Sequence, residues 1–559
     1  MLIQKIESCH NKRNSLVDVN AGISIIDILI ILGFIWTIIT KHHFLDTDSF
    51  TSTKAVWEVK QIGLNALLFI YILMRFITNG TKRNYLTIIG IVGAFIIMSY
   101  ELKEGIKQIV EDLINSYPIS INGTFLNSGP YGGMLSLCLC TLSPYLFNLY
   151  LKKVTKGLVY IVVIPCLLMI LFSLSRSAWL AVCVCFVIMY LRKYPKEKKK
   201  RISILAFVVF LCGCSYLVKK ESADGRFLMN KIAISSIANN NIWGAGIGLY
   251  CGSYAESSYE FFKVDKGEAQ IESLPKINHE KSRNVAGAPF DAFNEYLRAG
   301  VELGVPGLLI LLLVSGLSLY VLFSINSTFR YGLLSLLIFA LFSYPFSLPV
   351  FQVFFVFFLA IASTSAKKLL NGKSALFLGI LLLLTSGLSF FKSYPYYRNI
   401  SRCEKEWKEY DELYNLGFFS TVNDSYFTIH HNLMHNADFL FKYGKSLQKE
   451  QRYAESSKVF IEGSKISSDP IFWNELGNNY LSEGYYDIAE KCYTRAFYIL
   501  PNRIYPLYYL CKLYYKKGDI DKFTFLGNIV KEFNPKIESN TVNYLKEEII
   551  GLSPYSHIQ

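Results

Sequence analysis

Apolar runs recur along most of this chain, separated by short polar connections. Eleven are long enough to cross a bilayer, at 22–39, 57–78, 85–100, 131–150, 157–173, 177–191, 202–218, 304–323, 331–344, 349–365 and 375–391. A hydrocarbon core of about 30 Å needs about 20 mostly apolar residues in a helix. The pattern predicts an all-α fold, a polytopic transmembrane helical bundle of about 11 spans. Two stretches depart from it. Residues 219–298 are polar and carry Gly-rich signals, and the chain beyond about residue 400 has the composition of a soluble helical protein. The expected organisation is an N-terminal segment 1–20, a membrane domain 21–392 that includes the loop 219–298, and a helical domain 393–559.

Charge orients this pattern. The connections alternate between a basic set and a set that is mixed or nearly uncharged. The basic set holds Lys5, Lys12 and Arg13, then Lys82 and Arg83, Lys152 to Lys156, Arg192 to Arg201, Arg330, and Lys367 to Lys373. Lys and Arg near span ends accumulate on the cytoplasmic side. The alternation places the N-terminus in the cytoplasm, and the loop 219–298 and everything after Lys392 outside. The formal net charge of +14 is therefore read as topology, not as a nucleic-acid footprint. A hydrophobic fraction of 52% and a mean hydropathy of +0.30 agree with a membrane protein. Seven of the 12 cysteines (Cys138, Cys140, Cys166, Cys183, Cys185, Cys212 and Cys214) fall inside apolar runs and read as small hydrophobes. No spacing suggests zinc or a disulfide framework. The first apolar run lacks a small-residue cleavage site and reads as a retained signal anchor.

The tail has an internal period. Trp473, Leu476, Gly477, Tyr480, Ala489, Tyr493, Ala496 and Pro501 follow the tetratricopeptide helix-turn-helix pattern. Leu507, Leu510, Cys511, Tyr514, Val530 and Pro535 keep the period, and a weaker unit with Leu440, Gly444, Leu447 and Phe460 precedes them. Repeats are expected over about 437–536, as a scaffold for a protein partner or as support for the membrane domain.

Candidate chemistry clusters on the outer face. Both flanks of 157–191 are basic, so the run must form a hairpin with Arg176 at its outer tip. An Arg on that side is a functional-site candidate, or an anchor that snorkels to headgroups. Arg226 follows Asp224-Gly225. Two arginines here suit a phosphorylated headgroup, because a guanidinium pairs two oxygens at once and keeps its charge. Asn122-Gly123-Thr124-Phe125 and Gly129 to Gly133 predict irregular backbone before the fourth span. Gly244-Ala245-Gly246-Ile247-Gly248 reads as a tight turn that lets backbone approach a ligand or another element. Asp27, Glu58, Lys60 and Arg75 lie in or near the first two spans. Asp27 is expected to reach the cytoplasmic interface or to pair inside the bundle.

Arg176 in Leu-Ser-Arg-Ser-Ala, Arg226 followed by Trp243 to Gly248, Gly-Thr-Phe-x-Asn at 123–127, and Asn294-Glu295-Tyr296-Leu297 leading to Glu302-Leu303-Gly304-Val305-Pro306-Gly307 together resemble the O-antigen ligase and polymerase superfamily. The resemblance covers about residues 20–390, and the tetratricopeptide tail resembles an appendage of some members. It implies a bacterial inner-membrane protein that transfers glycan, without metal or cofactor, from an undecaprenyl-diphosphate-linked donor. The acceptor it implies is a lipid A core, a growing glycan or a protein hydroxyl. Carried over by position, Arg176 and Arg226 hold the diphosphate and Asn294 contacts substrate. The family's histidine directly before the Asn is here Phe293, which cannot take a proton. Asp291, Glu295 and His279 are the nearest substitutes, and Asp291 or Glu295 is preferred because both lie where the loop re-enters the membrane. Each also reads as a carboxylate at a helix start. The missing histidine favours a polymerase or a divergent transferase over a standard ligase. A lipid-linked-sugar flippase and a non-catalytic scaffold remain as other readings.

Overall fold

The computed structural model describes residues 22–44, 51–77, 83–118, 121–150, 156–193, 220–239, 242–263, 280–370, 373–535 and 539–552. The segment 1–20, the expected span 202–218 and His279 lie outside the described residues. What is described is helical except for one short antiparallel pair, β1 (Ile23–Ser24) and β2 (Lys368–Leu370).

The first six helices are α1 (Ile25–Phe44), α2 (Ser52–Ile77), α3 (Arg83–Ile114), α4 (Ser128–Tyr150), α5 (Lys156–Phe172) and α6 (Arg176–Lys193). The polar stretch that follows forms α7 (Lys220–Asn239) and α8 (Tyr250–Phe262). Then come α9 (Glu295–Ser324), α10 (Arg330–Ala340), α11 (Pro349–Ser365) and α12 (Lys373–Asn415). Four of these are long and apolar enough to cross a membrane, within Ser52–Arg75, Tyr85–Ile114, Glu295–Ser324 and Phe377–Asn415. Ile25–Thr40, Val159–Phe172, Arg330–Ala340 and Pro349–Ser365 are shorter apolar helices. α4, α10 and α11 build the largest core, around Tyr131, Phe329, Phe339, Phe351 and Phe358. A Cβ on Gly133 would run into the Phe339 ring, so close packing there depends on the missing side chain.

Two ends of the bundle are distinct. At one end Asp27 is buried and held from every side. Tyr71 and Ser363 donate to its Oδ1 at 2.6 and 2.7 Å, the Ser24 backbone N–H donates to Oδ2 at 2.7 Å, and Arg75 Nε lies 3.2 Å away. Arg75 also donates to the carbonyl of Gly22 at 2.7 Å. Asp27 thus pairs inside the bundle and ties the starts of α1 and β1 to the ends of α2 and α11. A buried charge with this many partners is a structural clasp.

At the other end a kink shapes α9. Gly304 has φ 68° and ψ −173°, a region open essentially to glycine. The kink frees three carbonyls, and all three find donors. Ala245 N–H reaches Val301 O at 2.7 Å, Gly246 N–H reaches Glu302 O at 2.9 Å, and Trp36 Nε1 reaches Leu303 O at 2.8 Å. Trp36 in turn stacks on Trp243, with ring centroids 5.1 Å apart. The Gly244 to Gly248 turn thus serves close approach to another element. The kink also divides the helix. The apolar stretch from Gly304 to Ser324 is long enough to cross the hydrocarbon core, whereas Glu295, Arg298 and Glu302 stand before it. Gly304→Ala is expected to cost about 2–3 kcal/mol, from the backbone region and from a Cβ driven into the Ile242 carbonyl. A lowered thermal unfolding midpoint of the purified protein checks this.

α12 does not stop at the expected boundary near residue 392. It runs as one helix of 43 residues through Pro395 and carries the chain directly into the C-terminal helices. These are α13 (Phe419–Leu433), α14 (Ala437–Lys449), α15 (Tyr453–Ile466), α16 (Ile471–Ser482), α17 (Tyr486–Ile499), α18 (Tyr505–Lys517), α19 (Ile520–Glu532) and α20 (Asn540–Gly551). Consecutive helices pack closely where a small residue faces a ring, as Gly444 faces Phe460 and Gly477 faces Tyr493. The C-terminal helices share one apolar core with α7 and α8: Ile232, Tyr254 and Phe262 cluster with Tyr493, Phe497 and Leu507.

Candidate functional site

The hairpin between α5 and α6 closes in a tight turn. Leu174 takes φ 51°, Ser173 Oγ donates to the Ile170 carbonyl at 2.7 Å, and Trp179 Nε1 donates to the same carbonyl at 2.7 Å. Arg176 follows as the first residue of α6. Arg226 comes from the middle of α7, whose packing against α9 brings it to the same place. The two line one cavity of about 270 Å³ together with Asn127, Ser175, Ser222, Phe293, Ser343 and Tyr344. Arg176 Nη2 lies 3.4 Å from Ser222 Oγ. Arg226 Nη1 donates to the Phe342 carbonyl at 3.0 Å, and its guanidinium lies 4.6 Å from the centre of the Phe293 ring. Burial, and then the positive charge of Arg176, hold the Arg226 guanidinium below its ordinary value. Two cations kept together against their repulsion mark a place for an anion. No carboxylate lines this cavity among the described residues.

Asn127 to Pro130 form one wall, and the Gly-Thr-Phe loop just before them is pinned. Gln108 Oε1 accepts the N–H groups of Asn122 and Gly123, both at 2.9 Å, and Glu101 accepts the Thr124 hydroxyl and N–H. Across the cavity Asn127 Nδ2 donates to Tyr344 Oη at 2.9 Å.

The two carboxylates lie elsewhere. Asp291 and Glu295 line a second cavity of about 380 Å³ with Lys60, Arg298, Glu302 and Gln352. Asp291 Oδ1 accepts the Ser347 hydroxyl at 2.7 Å. Glu295 is buried, accepts the Phe346 N–H at 2.6 Å, and has Arg298 Nε at 3.1 Å. Burial pushes its carboxyl up to about 7, helped by the negative charges of Glu302 and Asp291 and opposed by Arg298 and the Phe346 N–H. Asn294 occupies the N-cap of α9. Its side-chain oxygen accepts the N–H groups of Tyr296 and Leu297 at 3.0 and 3.1 Å.

The sequence candidates therefore fall into two groups. Arg176 and Arg226 meet, Asp291 and Glu295 meet, and the segment 291–295 runs between the groups with Phe293 on the arginine side. Tyr344, Ser343, Arg298 and Glu302 were missed as site residues. The Glu295, Arg298 and Glu302 spacing of three and four is a helix-face signal that was open to reading. Nothing local marked Tyr344, which reaches the site only through the packing of α10.

The model of the O-antigen ligase family, Wzy_C, matches residues 161–312. The O-antigen-ligase-like region starts within α5 and ends within α9, so it holds Arg176, Arg226 and the whole segment 291–295. Asn127, Tyr344 and the C-terminal helices lie beyond it. The match supports a membrane protein of glycan ligase or polymerase type. No curated protein matches this chain. No group of His, Cys, Asp and Glu suited to a metal occurs among the described residues.

The approach to 291–295 is held by the C-terminal helices. Asn502 Nδ2 donates to the Ala286 carbonyl at 2.9 Å, Arg283 Nε to the Pro501 carbonyl at 3.0 Å, and Ser468 Oγ to the Pro289 carbonyl at 2.7 Å. Removing one such hydrogen bond costs about 1 kcal/mol, or about fivefold in a local opening equilibrium. Ser468→Ala is expected to speed amide exchange across 286–295 by about fivefold while exchange in α4 and α10 stays unchanged.

Proposed function

We propose that this protein transfers or polymerises a glycan from an undecaprenyl-diphosphate-linked donor on the outer face of the bacterial inner membrane. The observation that carries this is the convergence of Arg176 and Arg226 in one cavity lined by Leu174, with exposed apolar residues next in the chain to its lining residues Asn127 and Arg226. Leu126 is 96% exposed, Phe227 74% and Leu174 54%. A soluble nucleotide-sugar gains nothing from such side chains, whereas an anionic headgroup on a lipid chain matches both cation and apolar edge.

In the proposed reaction the acceptor hydroxyl oxygen attacks the anomeric carbon. The bond from that carbon to the diphosphate breaks, and the diphosphate leaves with the electron pair. Arg176 and Arg226 hold the charge that develops on it. The hydroxyl proton goes to a carboxylate, Glu295 in preference to Asp291. An acid of pKa about 7 is ionised half the time at neutral pH and can both take the proton and give it up. Asn294 fixes the start of α9 and offers its amide to substrate. The C-terminal helices act as tetratricopeptide repeats that steady the re-entering segment and present a surface to a protein partner.

Purified protein with a lipid-diphosphate-linked glycan and a candidate acceptor tests this. A new glycosidic bond and free lipid diphosphate are expected. Glycan that crosses a sealed vesicle with no new bond would identify a transporter, and inert protein with every acceptor class would identify a scaffold.

A further inference from the structure

The second cavity has two limbs of different character. Its mouth is polar, with Lys60, Asp291, Arg298, Glu302 and Gln352, while Leu64, Leu67, Leu311, Phe355 and Val356 wall the rest. Along α2 the character changes from Lys60 to Leu67, a descent of about 10 Å at about 1.5 Å per residue. It descends beside the apolar part of α9, from the end of the bundle that carries the arginine cavity.

Charge at the mouth leans negative. Two cations, Lys60 and Arg298, face three carboxylates, Asp291, Glu295 and Glu302. That excess disfavours an anion, in contrast to the arginine cavity. Hydrogen-bonding capacity remains. Lys60 makes no ion pair or hydrogen bond among the described residues, although its charge is felt at Cys251 and His435. Arg298 donates to Ser347 Oγ at 2.6 Å and pairs with Glu295 at 3.1 Å, but it approaches Glu302 only to 4.0 Å, which leaves the Glu302 carboxylate as an acceptor. Donors and acceptors of both signs above an apolar shaft suit an uncharged head with many hydroxyls on a hydrocarbon chain.

We propose that this cavity is the acceptor site, and that the acceptor is a glycolipid whose uncharged sugar lies among Lys60, Arg298 and Glu302 with its chain against Leu64 and Leu67. The assignment rests on the transferase reading of the arginine cavity. It selects a glycolipid over a protein hydroxyl, and it makes the segment 291–295, which gives Phe293 to one cavity and Asp291 and Glu295 to the other, the place where acceptor and donor meet.

The test uses the full chain in lipid nanodiscs and three probes with the same long alkyl chain: a glucoside, a phosphocholine and a phosphate. The glucoside is expected to bind best at this cavity. Leu67→Trp, which fills the shaft, should weaken it by about tenfold or more. Glu302→Gln should weaken it by about fivefold through the lost charged acceptor. Arg226→Ala should leave glucoside binding unchanged and weaken the alkyl phosphate instead. In the transfer assay Leu67→Trp should raise the acceptor KM and leave the donor KM within about twofold. Equal binding of phosphocholine and glucoside, or glucoside binding indifferent to both Leu67→Trp and Glu302→Gln, overturns the assignment. Loss of alkyl phosphate binding in Leu67→Trp identifies a folding defect and leaves the decision to Glu302→Gln. Glucoside binding that behaves as expected in a protein with no transferase activity would sink the enzymatic reading and keep the site.

Discussion

Replacing Arg226 by Ala is expected to lower glycan transfer on the order of 10³-fold, and Arg176→Ala to do the same. The leaving diphosphate gains charge as the bond to the anomeric carbon breaks, and the cavity offers two guanidinium groups and no carboxylate. Either variant leaves one cation for a group that needs two. The deficits are not expected to add, because both act on a single anion. Arg226→Lys is a sharper probe. It keeps a positive charge but loses the planar fork that spans the Phe342 carbonyl and the Phe293 ring. About a tenfold loss is expected for it, since charge survives and geometry does not. Both Ala variants should fold, since removing Arg226 relieves repulsion with Arg176 as well as breaking one hydrogen bond. Undiminished transfer in both would remove the basis for the donor assignment.

The path to that pair was legible because charge and hydropathy report on the same thing. Basic flanks on both sides of 157–191 force a hairpin, and a hairpin puts Arg176 at its tip. The loop after residue 219 must then return to the same end, which brings Arg226 near. The separation of the two cavities was not legible. Asp291 and Glu295 lie within four residues of Phe293, and distance along a chain does not say on which side of a segment a side chain stands. The cap at Asn294 was written in the sequence as an Asn before an acidic helix start. That one helix crosses the expected boundary near residue 392 was not legible for another reason. Lys392 and Pro395 look like the end of a span, but a proline is tolerated inside a helix whose freed carbonyl meets water, and α12 continues. Packing across elements, as between α8 and α17, carries no local signal.

The glycine string shows how far a local reading extends. Its positive-φ residues announced a close approach without naming the neighbour. The neighbour is the kink of α9, where the carbonyls of Val301 and Glu302 accept from Ala245 and Gly246. That lock fixes where α9 turns from a polar start into an apolar span. It therefore fixes where Glu295 stands.

Glu295→Gln is expected to lower kcat on the order of 10³-fold and to flatten its pH dependence. The carboxyl sits at about 7 because burial disfavours its charged form and Glu302 and Asp291 add negative charge nearby. Below that pH it is protonated and cannot accept the hydroxyl proton. Wild-type turnover should fall about tenfold per pH unit below about 7 and level off above it. Glu302→Gln removes one of the raising charges, so its profile should shift to lower pH. Stability provides an independent check of opposite slope. Between the ordinary carboxyl value of 4.5 and about 7, the folded protein holds a proton that the unfolded chain releases. Stability contributed by this group is therefore present below 4.5 and is lost as pH rises through about 7. The unfolding midpoint of the wild type should drop across that window relative to Glu295→Gln. A Glu295→Gln protein that keeps its stability difference but transfers glycan at near wild-type rate would show a buried acid with no part in the chemistry. The proton would then pass to Asp291, and Asp291→Asn would be the variant that loses turnover.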